Sequence, residues 1–190
     1  RGKLVQRIKR EHDDFEAGRS RGPARVDVLI LSGGGDYGAF GAGFLQGWGE
    51  IRGGPVARPE FAVVPGVSTG ALNAPFAFVG DTNAYERVVE LYREPKKDWV
   101  RLRGLLFFLP DNPSFLDCSG LERGLDREIN HDAIARVAEQ ARAGKRLAIG
   151  ATNLDYGITR GFDLSHECEQ AMQTRDYSRV HEILMASAAL

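Results

Sequence analysis

From Val26 to Leu31 the chain is almost continuously apolar, and it then breaks at once into Ser32-Gly33-Gly34-Gly35. A short apolar run rich in β-branched residues predicts a strand buried on both faces, as in a parallel sheet covered by helices. A plain tight turn rarely needs three consecutive glycines, whereas such a run lets successive N–H groups face one point with no side chain in the way. The same grammar returns downstream. Phe61 to Val64 leads through Pro65 into Gly66-Val67-Ser68-Thr69-Gly70, and the apolar stretch Ala71 to Val79 follows. From Gly35 to Ser68 is 33 residues, enough for one helix and one return strand. Both turns are therefore expected at the same edge of adjacent parallel strands.

The remaining pattern supports an α/β fold. Phe40, Phe44 and Trp48 recur at spacings of four with Leu45 beside them, which predicts a core-facing helix after Gly38. Asp81 or Thr82 caps a further helix carrying Tyr85, Val88, Val89 and Tyr92 on one face. Leu121 to Ile129 and Asp132 to Ala143 read as helices, with Gly144 closing the second. Leu147 to Thr152 is a strand and the last helix starts near Ser178. Residues 1–25, rich in Arg, Lys, Asp and Glu, read as a charged leader, a solvated helix broken near Gly22-Pro23.

A length of 190 residues, 43% hydrophobic, suffices for one globular domain without staples. The formal net charge of -1 provides no global field toward nucleic acid, and no such partner is expected. Cys118 and Cys168 form no CxxC pair and lack a histidine at ligand spacing, so neither a metal site nor a redox motif is expected. The longest strongly apolar run, Leu105 to Leu109, is far shorter than the roughly 20 residues of a membrane-spanning helix. The chain is expected to be soluble or peripheral at a membrane surface. Lys96, Lys97, Arg101, Arg103 and Trp99 flank that run, so residues 96–109 are a candidate for docking on anionic lipid, or else a core helix with basic margins.

Gly33-Gly34-Gly35-Asp36-Tyr37-Gly38 also fits the GxGxxG of dinucleotide sites. That reading requires an acidic residue at the end of the second strand, but Glu60 precedes the strand, which ends instead in Gly-Val-Ser-Thr-Gly. An oxyanion hole uses the same backbone property and fits better. Gly66-x-Ser68-x-Gly70 places a serine between two residues without Cβ, as a strained strand-to-helix turn needs if the serine is to project from the sheet edge. The helix beginning near Thr69 turns its N-terminal amides and positive dipole end to the same place.

These two turns resemble the patatin-like phospholipase family, whose marks are a triple-glycine oxyanion loop closed by another glycine, a GxSxG serine and a distant Asp-Gly-Gly or Asp-Gly-Ala aspartate. Leu116-Asp117-Cys118-Ser119-Gly120-Leu121, Ala151-Thr152-Asn153-Leu154-Asp155 and Ala186-Ser187-Ala188-Ala189-Leu190 are similar to three further family segments. The resemblance implies a three-layer α/β/α fold with a mainly parallel central sheet. It also implies a lipid acyl hydrolase of phospholipase A type working through a Ser-Asp dyad without cofactor.

Mapped residue by residue, Ser68 would be the nucleophile, Gly33, Gly34 and Gly35 with Thr69 the oxyanion hole, and Gly38, Gly66 and Gly70 the loop and elbow glycines. Tyr37 stands where the family commonly has Lys or Arg, and no Asp-Gly pair occurs. In the family the aspartate follows the Ala-Ser-Ala helix. Residues 26–190 are therefore expected to be a C-terminally incomplete hydrolase domain whose aspartate lies outside them.

An α/β-hydrolase triad would need an acid and a histidine after the serine. His12, His131, His166 and His181 read as surface or capping residues. Asp163 and His166, three residues apart, leave little reach for both roles. Asp155 and Asp163 lack a following glycine and are expected to be structural, and Asp36 to point away from the loop. The other readings are a catalytically silent lipid-binding or scaffolding protein and a nucleotide-binding module.

Overall fold

The computed structural model describes residues 2–93, 101–102 and 116–188. Helix α1 (Gly2–Glu16) buries no residue and touches the rest through an Lys3–Glu169 ion pair and the Gly144 turn beside Arg7. The sheet begins at residues 26–31, which run parallel to β1 (Val63–Val67). Leu29 N–H donates to Val63 O at 3.0 Å, Leu31 N–H to Pro65 O at 2.9 Å, and Val67 N–H to Leu31 O at 3.2 Å. Pro65 has no N–H to return a bond to Leu29 O, so the pairing is reduced to bridges at Val28–Val63 and Leu31–Gly66. Beyond β1 lie β4 (Arg146–Asn153), parallel to it, and β5 (Ile158–Asp163), antiparallel to β4. A small antiparallel pair, β2 (Arg101–Leu102) and β3 (Leu116–Asp117), stands apart.

Helix α3 (Thr69–Val79) is central, with every residue from Gly70 to Phe78 buried. It packs on the face of the sheet that carries Val64, Leu147 and Ile149, each worth about 1.5–3 kcal/mol of burial. Around it stand α2 (Gly38–Gly49), α4 (Thr82–Arg93), α6 (His131–Arg142), α7 (Leu164–Thr174) and α8 (Ser178–Ala188), with α5 (Ser119–Glu128) against α8. Asp81 Oδ1 caps α4 at Ala84 N–H, as the sequence predicts, and Asn130 caps α6. Arg58 stacks on Tyr85 and donates to Leu45 O and Gly80 O, tying α2 to the end of α3. Among the described residues no helix is long and apolar enough to cross a membrane.

Two sequence expectations are corrected. The 26–31 strand is not buried on both faces: Leu29 and Leu31 pack on the core, but Val26, Val28 and Ile30 are exposed because no described helix lies over that side. The aromatic stripe of α2 is not its core face either. Gly38, Ala42 and Leu45 are the buried positions, and the lack of a side chain at Gly38 lets the start of α2 approach α3 and α4; a methyl group on Gly38 would come to 2.7 Å from Thr69 Cβ and 2.6 Å from Tyr92 Oη. Phe40 and Phe44 stack outside, and only Trp48 turns in, against Phe61. The α/β class with a mostly parallel sheet stands. The helices described cover the Val64 face, and the opposite side, with Val63, Pro65 and Ala148, is half-buried.

Candidate active site

Ser68 follows the last residue of β1 and precedes the first of α3. Its backbone sits at φ 55 and ψ −128, a region that costs a non-glycine residue about 1–3 kcal/mol. The glycines on either side are explained by contact. A methyl group on Gly66 would meet Gly70 O at 2.5 Å, and one on Gly70 would meet Leu31 O at 2.3 Å and Ser32 O at 2.6 Å. The turn is thus wound so tightly on itself and on the neighbouring strand that neither position accepts a side chain. Ser68 is half-buried, and among the described residues no group accepts a hydrogen bond from its Oγ.

The triple-glycine loop lies directly against it. A methyl group on Gly33 would come to 2.8 Å from Ser68 Cβ and 3.5 Å from Ser68 Oγ. Gly34 (φ 156) and Gly35 (φ 56) take left-handed conformations that lead into a short 3-10 turn, Gly35–Tyr37, closed by Tyr37 N–H on Gly34 O at 3.1 Å. The N–H groups of Gly33, Gly34 and Gly35 have no hydrogen-bond partner among the described residues, nor do those of Thr69 and Gly70 in the first turn of α3. Five donors therefore lie on two turns that pack against each other, with the positive end of α3 adding to them. An array of this kind suits an oxygen that gains negative charge.

Behind the loop, Asn73 of α3 is 2% exposed and donates Nδ2–H to Gly38 O at 3.0 Å, fixing the first turn of α2. Thr69 Oγ1, Asn73 Oδ1 and Tyr92 Oη are buried beside Gly38, and none makes a hydrogen bond of normal geometry with a described residue. Burial pushes the Tyr92 hydroxyl up to about 12, offset in part by the Asn73 amide next to it. In front, a cavity of about 240 Å³ runs from Gly33 and Gly38 past Ile30, Tyr37 and Phe40 to Gly41, Gly70 and Asn73. Its outer wall is apolar and open: Ile30 is 75% exposed, Tyr37 83% and Phe40 77%.

The acids and histidines weighed from sequence lie elsewhere. Asp163 ends β5, pairs with Ala148, and is occupied as the cap of α7, accepting from Ser165 Oγ and His166 N–H and facing Arg146. His166 is thus in the first turn of α7. Asp155 and Asp36 are exposed in turns. His131 contacts Tyr177, and His181 pairs with Asp126 and Ile129 O. Glu60, the acid nearest the second strand, pairs with Lys145 at the far end of the sheet. Most of residues 96–109, the candidate lipid-docking segment, lie outside the described residues.

One residue at the turn has no separate role in the sequence analysis. Ser187, seen there only within Ala-Ser-Ala, accepts Ser68 N–H at 2.9 Å and donates to Gly150 O at 2.6 Å. The N–H of Ser68 is thereby withheld from the donor array.

The sequence model of one protein family, described as patatin-like phospholipase, matches residues 29–190. No curated protein and no solved structure matches the chain.

Proposed function

Because the chain belongs to the patatin-like phospholipase family, we propose that it is a serine hydrolase that cleaves acyl esters of lipids through an acyl-enzyme on Ser68. The observation that carries this reading is the contact of the two turns: a strained serine whose hydroxyl has no acceptor among the described residues, packed against Gly33 of a triple-glycine loop whose N–H groups have no partner among those residues.

In this mechanism Ser68 Oγ attacks the ester carbonyl carbon as its proton passes to a carboxylate. The base is proposed to be the family's aspartate, in a segment outside residues 1–190. Amides of Gly34 and Gly35, with Gly33 and Thr69 beside them, hold the oxygen that becomes negative, and each such donor is typically worth about 3–4 kcal/mol in the transition state. The alcohol leaves with the proton, and water then attacks the acyl-enzyme through the same base, releasing the acid and restoring Ser68. Gly38, Gly66 and Gly70 serve by being small. The open cavity past Ile30, Tyr37 and Phe40 offers an acyl chain an apolar bed beside the reacting carbon.

A second reading, a catalytically silent lipid-binding or scaffolding protein, is favoured by one observation: no described carboxylate reaches Ser68 Oγ. Hydrolysis of phospholipid and of p-nitrophenyl esters by the full-length protein and by Ser68→Ala separates the two. Turnover that disappears in Ser68→Ala supports the hydrolase, whereas lipid binding without turnover in either protein supports the silent form.

A further inference from the structure

We infer that Ser187 is a positioning residue for Ser68, an inference that rests on the hydrolase reading for its catalytic consequence. Val67 N–H is turned toward the 26–31 strand, where it donates to Leu31 O. By the alternation of a parallel ladder, the next N–H, that of Ser68, is turned the other way, toward β4. The register pairs Val67 with Gly150, so Gly150 O is the acceptor that would continue the ladder. It does not receive that bond directly. The Ser187 hydroxyl stands between, accepting from Ser68 N–H at 2.9 Å and donating to Gly150 O at 2.6 Å.

One oxygen thus splits the last rung of the sheet. A direct rung would draw Ser68 toward β4 and flatten the turn, whereas the inserted hydroxyl holds the serine off β4 in its φ 55 conformation and against Gly33 on the other side. The hydroxyl's one proton goes to Gly150 O while a lone pair takes the Ser68 N–H, so its direction is fixed. Ser187 comes from the last turn of α8, 119 residues along the chain, and α8 packs on both β4 and α3. The C-terminal helix is in this way coupled to the position of the nucleophile. Ser187 acts through the backbone N–H of Ser68.

The test uses the full-length protein, its Ser187→Ala and Ser187→Thr variants, and two readouts. The first is hydrogen exchange of the Ser68 amide by NMR. Protection in the wild type that falls at least about 10-fold in Ser187→Ala, and returns in Ser187→Thr, supports the tether; exchange unchanged in Ser187→Ala overturns it. The second is labelling of Ser68 by a fluorophosphonate ester, with saturation separating binding from reaction. A maximal labelling rate about 30- to 100-fold lower in Ser187→Ala, with unchanged half-saturation and recovery in Ser187→Thr, is expected for a displaced nucleophile. Equal rates in wild type and Ser187→Ala overturn the positioning role. Wild-type protein that never labels refutes the hydrolase reading and the catalytic consequence together, while the amide exchange still decides the tether by itself.

Discussion

Replacing Gly33 by Ala tests whether the contact between the two turns is what the reaction depends on. A Cβ at this position would lie 2.8 Å from Ser68 Cβ, with Val67 O at 3.4 Å and Ser68 Oγ at 3.5 Å. Bringing the first contact to an ordinary separation of about 3.4 Å or more requires the loop to retreat from Ser68 by at least about 0.6 Å. Displacements approaching 1 Å cost catalytic geometry about 100-fold, and the loss of one oxyanion donor costs a similar 2.7–4 kcal/mol. Gly33 is itself exposed and its φ does not demand glycine, so the fold loses little. The expected outcome is ester hydrolysis down about 100-fold, as kcat more than KM, with Tm lowered by no more than about 4 °C, as befits a change of about 1 kcal/mol. Gly43→Ala, in open space on α2, serves as the control and retains full activity. Gly33→Ala with activity within about 3-fold of wild type, or with activity lost only in proportion to unfolded protein, refutes the reasoning.

Gly66→Ala is expected to act on the fold instead, because its Cβ meets only backbone, Gly70 O at 2.5 Å and Ala71 Cα at 3.0 Å. A destabilisation of about 3 kcal/mol, seen as a Tm about 10 °C lower, is the expected result. Ile30→Asp or Phe40→Asp places a charge on the apolar outer wall of the cavity and is expected to reduce hydrolysis of long-chain esters about 10-fold or more while sparing short-chain ones; equal losses for both would remove the cavity from the acyl path. Stability falls at alkaline pH. Burial raises the Cys168 thiol from 9.0 and the Tyr92 hydroxyl from 10.0, each to about 12, so the folded state holds protons that the unfolded chain gives up. Their contribution is complete below about pH 9 and is lost as pH rises toward 12, and urea unfolding of Tyr92→Phe should show a shallower decline than wild type between pH 10 and 12.

The turns were legible because their chemistry is local. Three glycines after an apolar strand and a serine between two glycines have few physical uses, and the close contacts at Gly33, Gly66 and Gly70 are of the kind those uses require. The cap at Asp81, the end at Gly144 and the helix from Ser178 were readable for the same reason.

What failed was long-range. Phe40, Phe44 and Trp48 have the spacing of a core stripe, but which face of α2 is buried depends on how closely it meets α3 and α4, and that favours Gly38, Ala42 and Leu45. Strand β5 carries Arg160 and Gly161 and is largely exposed, so it lacks the apolar signal of a strand; α7 after it was hidden with it. The role of Ser187 is a contact with a residue 119 positions away, which no spacing rule reaches. A serine amid small residues at a helix end was the only trace.

In the proposed mechanism Ser68 carries the acyl group. Mixing the full-length protein with a p-nitrophenyl acyl ester, quenching in acid during the first turnover and mapping peptides by mass tests it most directly. One acyl adduct is expected, on the peptide containing Ser68, and none in Ser68→Ala; an adduct on another residue, or ester turnover that persists in Ser68→Ala, would rule out Ser68 as the nucleophile.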